Sequence, residues 1–140
     1  MVIDHIGIVV RSLEEGMRQW ENLFGYKKSS DIVLNARQKV RIVFMSKPHS
    51  LTVKLLEASA PDSPISFFAQ KGGGLHHLCF RCQNVDSEIS GLTGKGMLLT
   101  VPPEPGEAFK GNKIAFLMAR NNLNLELIDT QEKAGWCGPD

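Results

Sequence analysis

Long hydrophobic runs are missing from this chain of 140 residues: none approaches the roughly 20 apolar positions that a membrane-spanning helix needs. Charge of one sign is missing too. Sixteen Lys and Arg stand against 15 Asp and Glu, and the basic residues are scattered rather than striped. That removes the electrostatic case for a nucleic-acid or membrane partner. Cysteine is scarce and odd in number, three in all. A disulfide framework is therefore not expected, and a reducing cytoplasm is the expected compartment. The first strand opens at Val2, which leaves no room for a cleavable leader and points to the same compartment. What remains is 42% hydrophobic and 22% charged, ordinary values for a globular chain. The length suits one compact domain or two tightly packed half-domains.

The chain contains itself twice. With a shift of 72 residues, the distance from His5 to His77, the halves overlie without a gap at three places. Ile3-Asp4-His5-Ile6-Gly7-Ile8 falls on Leu75-His76-His77-Leu78-Cys79-Phe80. Arg41 to Met45 falls on Lys113 to Leu117, and Leu51 to Glu57 falls on Leu123 to Asp129. A repeat this long is not a solenoid unit. It reads as two copies of a small α+β module about a pseudo-twofold axis. Such an axis brings His5 to His77 and Lys54 to Glu126.

Local signals divide each copy alike. Val2 to Val10 reads as a strand, and Ser12-Leu13-Glu14-Glu15 is a capping box. Leu13, Met17, Trp20, Leu23 and Phe24 recur at helical spacing, and Gly25 sits where a left-handed cap belongs. Strands follow at 40–45 and 51–58, joined by the turn Lys47-Pro48-His49-Ser50, with a further short strand at 32–34. Ser63-Pro64 opens a short helix. After Gly72-Gly73-Gly74 the order repeats: a strand at 75–82, a helix capped by Asn84, strands at 97–101, 113–119 and 123–130, and a loop at 102–112. The expected organisation is a first βαβββ module over 1–60, a linker with a short helix over 61–74, a second module over 75–130, and a tail over 131–140 without pattern, an arm or disordered. Two such modules side by side make an incomplete mixed-sheet barrel with a central cleft.

Strand parity assigns faces. His5, Gly7 and Val9 share one, as do His77, Cys79 and Arg81. Lys54 and Glu126 hold equivalent positions on the closing strands, while Glu57 and Asp129 point the other way. A single buried histidine is more often a hydrogen-bonded core residue than a ligand. Two at equivalent positions with a carboxylate beside them favour a cleft site. By the same parity His76 faces outward against the helix layer, and His49 is solvated. Cys79-Phe80-Arg81-Cys82 has the C-x-x-C spelling, but on a strand its thiols lie on opposite faces and cannot share a metal. The three glycines precede a strand and are not a phosphate loop.

Asp4-His5-Ile6-Gly7-Ile8, Ser63-Pro64-Ile65, Gly74-Leu75-His76-His77-Leu78, Lys113-Ile114-Ala115-Phe116-Leu117 and Leu125-Glu126-Leu127 together resemble the vicinal oxygen chelate superfamily. The branch most resembled is that of methylmalonyl-CoA epimerase, with glyoxalase I beside it, and the likeness spans about residues 2–130. The resemblance implies paired βαβββ modules and a divalent ion, zinc, cobalt, nickel, manganese or iron, held by one ligand from the first and the last strand of each module. His5, His77 and Glu126 fit three such positions. The fourth holds Lys54 where epimerases and glyoxalases place Glu or Gln. A protonated lysine has no lone pair to offer.

The implied chemistry is that of an isomerase or lyase acting on a small carbonyl or acyl-thioester compound through an enolate. Glu126 or Lys54 serves as base, Arg81 clamps a substrate carboxylate, and Cys79 looks into the cleft. Three outcomes stay open at Lys54: a three-ligand metal, a metal-free Lys54–Glu126 pair, or a neutral lysine acting as base. The turn after 115–117, Met118-Ala119-Arg120-Asn121, and the loop from Pro105 to Asn112 both depart from the epimerase pattern. Two other readings are carried: a metal-free small-molecule binding or resistance protein, and, ranked lowest, an Fe(II) extradiol-type dioxygenase. Members of the superfamily are often dimers, so the resemblance allows a homodimer and the oligomeric state stays open.

Overall fold

The repeat is visible in the first hydrogen bonds of each half of the computed structural model, which describes residues 1–139. Strand β1 (Val2–Val9) leads into helix α1 (Leu13–Phe24), and β6 (Gly74–Arg81) leads into α3 (Val85–Gly94). Ser12 Oγ accepts the Glu15 N–H at 3.2 Å, and Asn84 Oδ1 accepts the Ser87 N–H at 2.9 Å. Glu57 then accepts the Leu13 N–H at 2.7 Å, and Asp129 accepts the Val85 N–H at 3.0 Å. All four side chains take amides that have no partner within their helix. Gly25, at φ 72°, closes α1 in the left-handed region, as its position predicts.

The remaining strands are β2 (Lys27–Lys28), β3 (Val33–Asn35), β4 (Val40–Ser46), β5 (Thr52–Ala58), β7 (Leu98–Pro105), β8 (Lys113–Ala119) and β9 (Leu123–Ile128), with α2 (Ser66–Gln70) between the halves. They form one mixed sheet in the order β2-β4-β5-β1-β6-β9-β8-β7, with β3 paired to β4. The sheet is not closed into a barrel. At its centre β1 and β6 pair antiparallel about Ile6 and Leu78, placing His5 opposite Cys79 and Gly7 opposite His77. The pairing is self-complementary under the repeat, so the pseudo-twofold axis passes through this ladder. Two register slips interrupt it and leave Asp4 and His76 as extra residues. These are equivalent β-bulges, one in each copy.

Period-two alternation sorts three cores. Val43, Met45, Val53 and Leu55 face α1 and pack with Leu13, Met17 and Trp20. Ala115, Leu117 and Leu127 face α3 and pack with Val85, Ile89 and Leu92. Their strand neighbours Ile42, Phe44, Leu56, Ile114 and Ile128 turn to the concave face with Phe109 and Ile65. Leu23, at 66% exposed, departs from the helical stripe and points into solvent.

Several expectations need correction. The short helix begins at Ser66 rather than at Ser63-Pro64, because Ser63 to Ile65 form a turn in which the Ser66 N–H reaches the Ser63 carbonyl. Strand β7 continues to Pro105, into the stretch read as a loop. Its pairing with β8 is bulged, which accommodates two prolines lacking a donor. A 3-10 turn at Glu107–Phe109 then buries Phe109. Strand β2 is too short to leave a pattern in sequence.

The tail through 139 is a strap that bonds to both halves. The Asp31 N–H donates to the Ala134 carbonyl, the Ala134 N–H to Ala108, and the Cys137 N–H to Ser29, while Trp136 packs on the concave core. Asp140 lies outside the described residues. Among those described, no helix is long and apolar enough to cross a membrane.

Candidate functional site

Strand register carries four side chains of the sequence reading to one place. Lys54 on β5 stands beside Gly7 of β1, and Glu126 on β9 stands beside Cys79 of β6. Across the twofold they meet: Lys54 Nζ donates to Glu126 Oε1 at 2.7 Å. His5 Nε2 lies 3.0 Å from the same oxygen, and His77 Nε2 lies 3.3 Å from it. The His77 contact lacks hydrogen-bond alignment, and its Nε2 is a buried nitrogen without a partner. All four residues are buried, with Lys54 3% and Glu126 1% exposed.

Gly7 makes room for this arrangement. A Cβ on Gly7 would come within 2.1 Å of the His77 ring. Gly7→Ala is therefore expected to expel the ring and to destabilise the fold by about 1–3 kcal/mol, the usual cost of overpacking. Denaturant unfolding of the variant checks the stability, and the His77 imidazole resonances check the displacement.

The bulges supply what parity alone did not foresee. Asp4, lifted out of alternation, places Oδ2 2.8 Å from His5 Nδ1. Asp4 in turn accepts from Arg81 at 2.9 Å and from Lys133 of the strap at 3.2 Å. Burial pushes its carboxyl up, but the bonds and charges of His5 and Lys133 outweigh this and bring it to about 2. His76, the equivalent bulge, does not face the helix layer. It packs edge-on to Phe68, sets Nδ1 2.8 Å from His77 Nδ1, and lines the cleft. The bulge breaks the alternation that would have turned it outward. The recoverable signal for both residues was their adjacency to histidines at equivalent repeat positions.

Electrostatics follow from burial and from one ion pair. Burial first, and the Lys54 charge next, lower His77 to about 3 against the opposing pull of Glu126, so the ring is neutral. Burial also lowers His76, with Lys54 adding to the effect. For Glu126 burial raises the carboxyl, yet Lys54 and the two histidines hold it well below the carboxylate range. Cys79 is buried beside Glu126, and burial raises its thiol well above the usual value. It packs in the concave core rather than lining the cleft. Arg81 is occupied by Asp4 and is also not among the lining residues.

The cleft is a cavity of about 240 Å³. Its walls are apolar, with Val40, Ile42, Leu56, Phe109, Ile114 and Phe116 prominent, and its polar floor includes Lys54, Glu126 and His76. His5 and His77 stand behind Glu126 and do not reach the lining. His5, His77 and Glu126 offer ligand atoms within 4.8 Å of one another, and so do Asp4, His5 and Cys79. The partnerless His77 nitrogen suits a metal; Lys54 does not. A divalent ion about 5 Å from its ammonium would be opposed by about 6–7 kcal/mol at an effective dielectric of 20. With Lys54 charged and bound to Glu126, the residues present do not fit a divalent cation.

Comparison with known proteins agrees with the fold and narrows the chemistry. Residues 4–116 match the family described as the Glyoxalase/Bleomycin resistance protein/Dioxygenase superfamily. The chain is 32% identical to the Bacillus subtilis protein YqjC over 130 residues, 91% of each chain. It is 26% identical to the mitochondrial methylmalonyl-CoA epimerase of Dictyostelium discoideum, over 94% of this chain and 78% of that one. A methylmalonyl-CoA epimerase solved in complex with methylmalonyl-CoA and NH4+ superposes with a TM-score of 0.80 at 25% identity, covering 94% of this chain and 96% of the other.

Proposed function

This chain belongs to the glyoxalase/bleomycin resistance protein/dioxygenase superfamily, and on that premise we propose that it is an isomerase of the epimerase type, acting on an acyl-CoA or a related small carbonyl compound through an enolate. The observation that carries this reading is the Lys54–Glu126 pair, an acid and a base 2.7 Å apart on the floor of an apolar cavity. The likeness to methylmalonyl-CoA epimerases supports the substrate class.

Proton transfer at the carbon next to a carbonyl needs a base at that carbon and a positive group at the oxygen where charge develops. The substrate carbonyl enters the cavity and takes an N–H of Lys54. That draws the ammonium from Glu126 and returns basicity to a carboxylate that the ion pair had depressed. The three contacts from Lys54, His5 and His77 fall on Oε1, so Oε2 is the oxygen assigned to the α-proton. Glu126 takes the α-proton, the planar enolate turns over with its oxygen held by Lys54, and Glu126, whose proton exchanges with solvent before it is returned, protonates the other face to complete an epimerisation. Apolar walls exclude water and strengthen the attraction between the Lys54 ammonium and the enolate oxygen.

Glu126→Gln keeps the shape and removes the base, and is expected to lower turnover by about 10²–10⁴-fold. Solvent deuterium wash-in at the α-carbon of methylmalonyl-CoA, followed by NMR, checks it; a variant as fast as the parent removes Glu126 from the mechanism. The competing reading is a small-molecule binding protein, favoured by the closed ion pair in an apolar pocket. A binder would hold the thioester without exchanging its proton. The dioxygenase reading has less support. The single tyrosine, Tyr26, bonds Ser50 and Leu51 away from the cleft and offers no acid there.

A further inference from the structure

We propose that the ε-ammonium of Lys54 takes the cation position of the His5–His77–Glu126 cluster, and that this one side chain is what keeps a divalent metal out of an otherwise complete ligand set. The inference deepens the proposed function, from which it takes only the location of the site.

The position is built for one fixed cation. Lys54 Nζ is 2.7 Å from Glu126 Oε1 and 5.5 Å from the centre of the Phe109 ring, so a carboxylate and an aromatic face hold it together. The lysine stem is buried at 3% exposure, and its strand neighbour across β4 is Phe44. A chain that buries an ammonium this deeply must surround it with compensating groups, and it does. The lone-pair donors remain beside it. Both imidazoles direct Nε2 toward Glu126, and the His77 Nε2 has no hydrogen-bond partner. Lys54 also occupies the repeat equivalent of Glu126. A carboxylate there would restore twofold symmetry to the charges and give two histidines and two carboxylates around one point, a donor set suited to a borderline divalent ion. The ammonium does part of what such an ion would do: it places positive charge on the cleft floor next to the carboxylate.

The test is cobalt binding, which reads the site without reference to turnover. Full-length protein stripped with chelator is titrated with Co²⁺ and followed by visible absorbance and calorimetry. The variants are Lys54→Glu, Lys54→Gln, His77→Ala, and Lys54→Glu combined with His77→Ala. Native protein is expected to bind at least roughly 100-fold more weakly than Lys54→Glu, given the opposing charge. Lys54→Glu should take up one equivalent with ligand-field bands that His77→Ala abolishes. Lys54→Gln, which removes only the charge, should gain affinity in the same direction and serves if the glutamate variant does not fold. One tight equivalent in native protein, lost on His77→Ala, overturns the proposal. So does the absence of binding in both lysine variants when they are folded. An inactive protein that behaves as expected toward cobalt would refute the isomerase reading and leave this inference standing.

Discussion

Lys54→Met is expected to lower the free energy of unfolding by about 3–5 kcal/mol, because it strands the Glu126 carboxylate in the protein interior. Glu126 is 1% exposed, and Lys54 Nζ 2.7 Å away is its ion-pair partner. Only His5 Nε2 at 3.0 Å and His77 Nε2 at 3.3 Å then remain beside that oxygen. The loss belongs to the orphaned charge rather than to the net worth of the pair, and the distinction is measurable. Lys54→Met combined with Glu126→Met removes both charges and fills the space, and should recover much of the stability. Denaturant unfolding of the two singles and the double gives the coupling energy. A double variant as unstable as the sum of the singles would mean that the two groups are held independently.

Acid is expected to unfold the protein in two stages, the first set mainly by His77, with His76 shifted in the same direction. The folded value of about 3 for His77 lies below the ordinary 6.5, so the unfolded chain takes up a proton that the native ring refuses. For a depressed group, stability is fully present above the unfolded value and is lost as pH falls toward the folded one. His77 therefore withdraws support from about pH 6.5 down to about 3, on the order of 5 kcal/mol in all. Asp4, at about 2 against an ordinary 3.8, adds a second loss below about pH 4, of about 2 kcal/mol. Glu126 is shifted in the same direction and steepens that stage. His77→Phe should flatten the limb between pH 6.5 and 4 and leave the lower one. Urea midpoints measured across that range provide the check, and an unchanged upper limb in the variant would contradict the assignment.

The repeat explains why so much of the site was readable from residues alone. Once His5 was matched to His77 and Lys54 to Glu126, a twofold axis left them no place but the centre of the sheet. The structure places Ile6 opposite Leu78 at that axis. Glu57 and Asp129, assigned by parity to the outer face, cap the two helices from there. Parity failed where its premise failed, at two single-residue bulges. Asp4 and His76 both leave the alternation, and both become neighbours of the central histidines. Arg81 does share the face of His77 in sequence, but its long side chain reaches Asp4 instead of the cleft. The strap at 131–139 carries no periodicity because it is held by isolated backbone bonds and by Trp136 and Lys133, contacts made to residues far away in the chain. Such contacts leave no local pattern to read.

The central claim is an isomerase whose positive group is Lys54. The most direct measurement is deuterium incorporation from D₂O at the α-carbon of methylmalonyl-CoA, catalysed by protein dialysed exhaustively against chelator and assayed in its presence. Exchange is expected at the rate of undialysed protein and is abolished in Glu126→Gln. Exchange that appears only when zinc, cobalt or another divalent ion is returned would show that Lys54 yields its place to a metal. No exchange under either condition would contradict the reaction assigned to this site on this substrate.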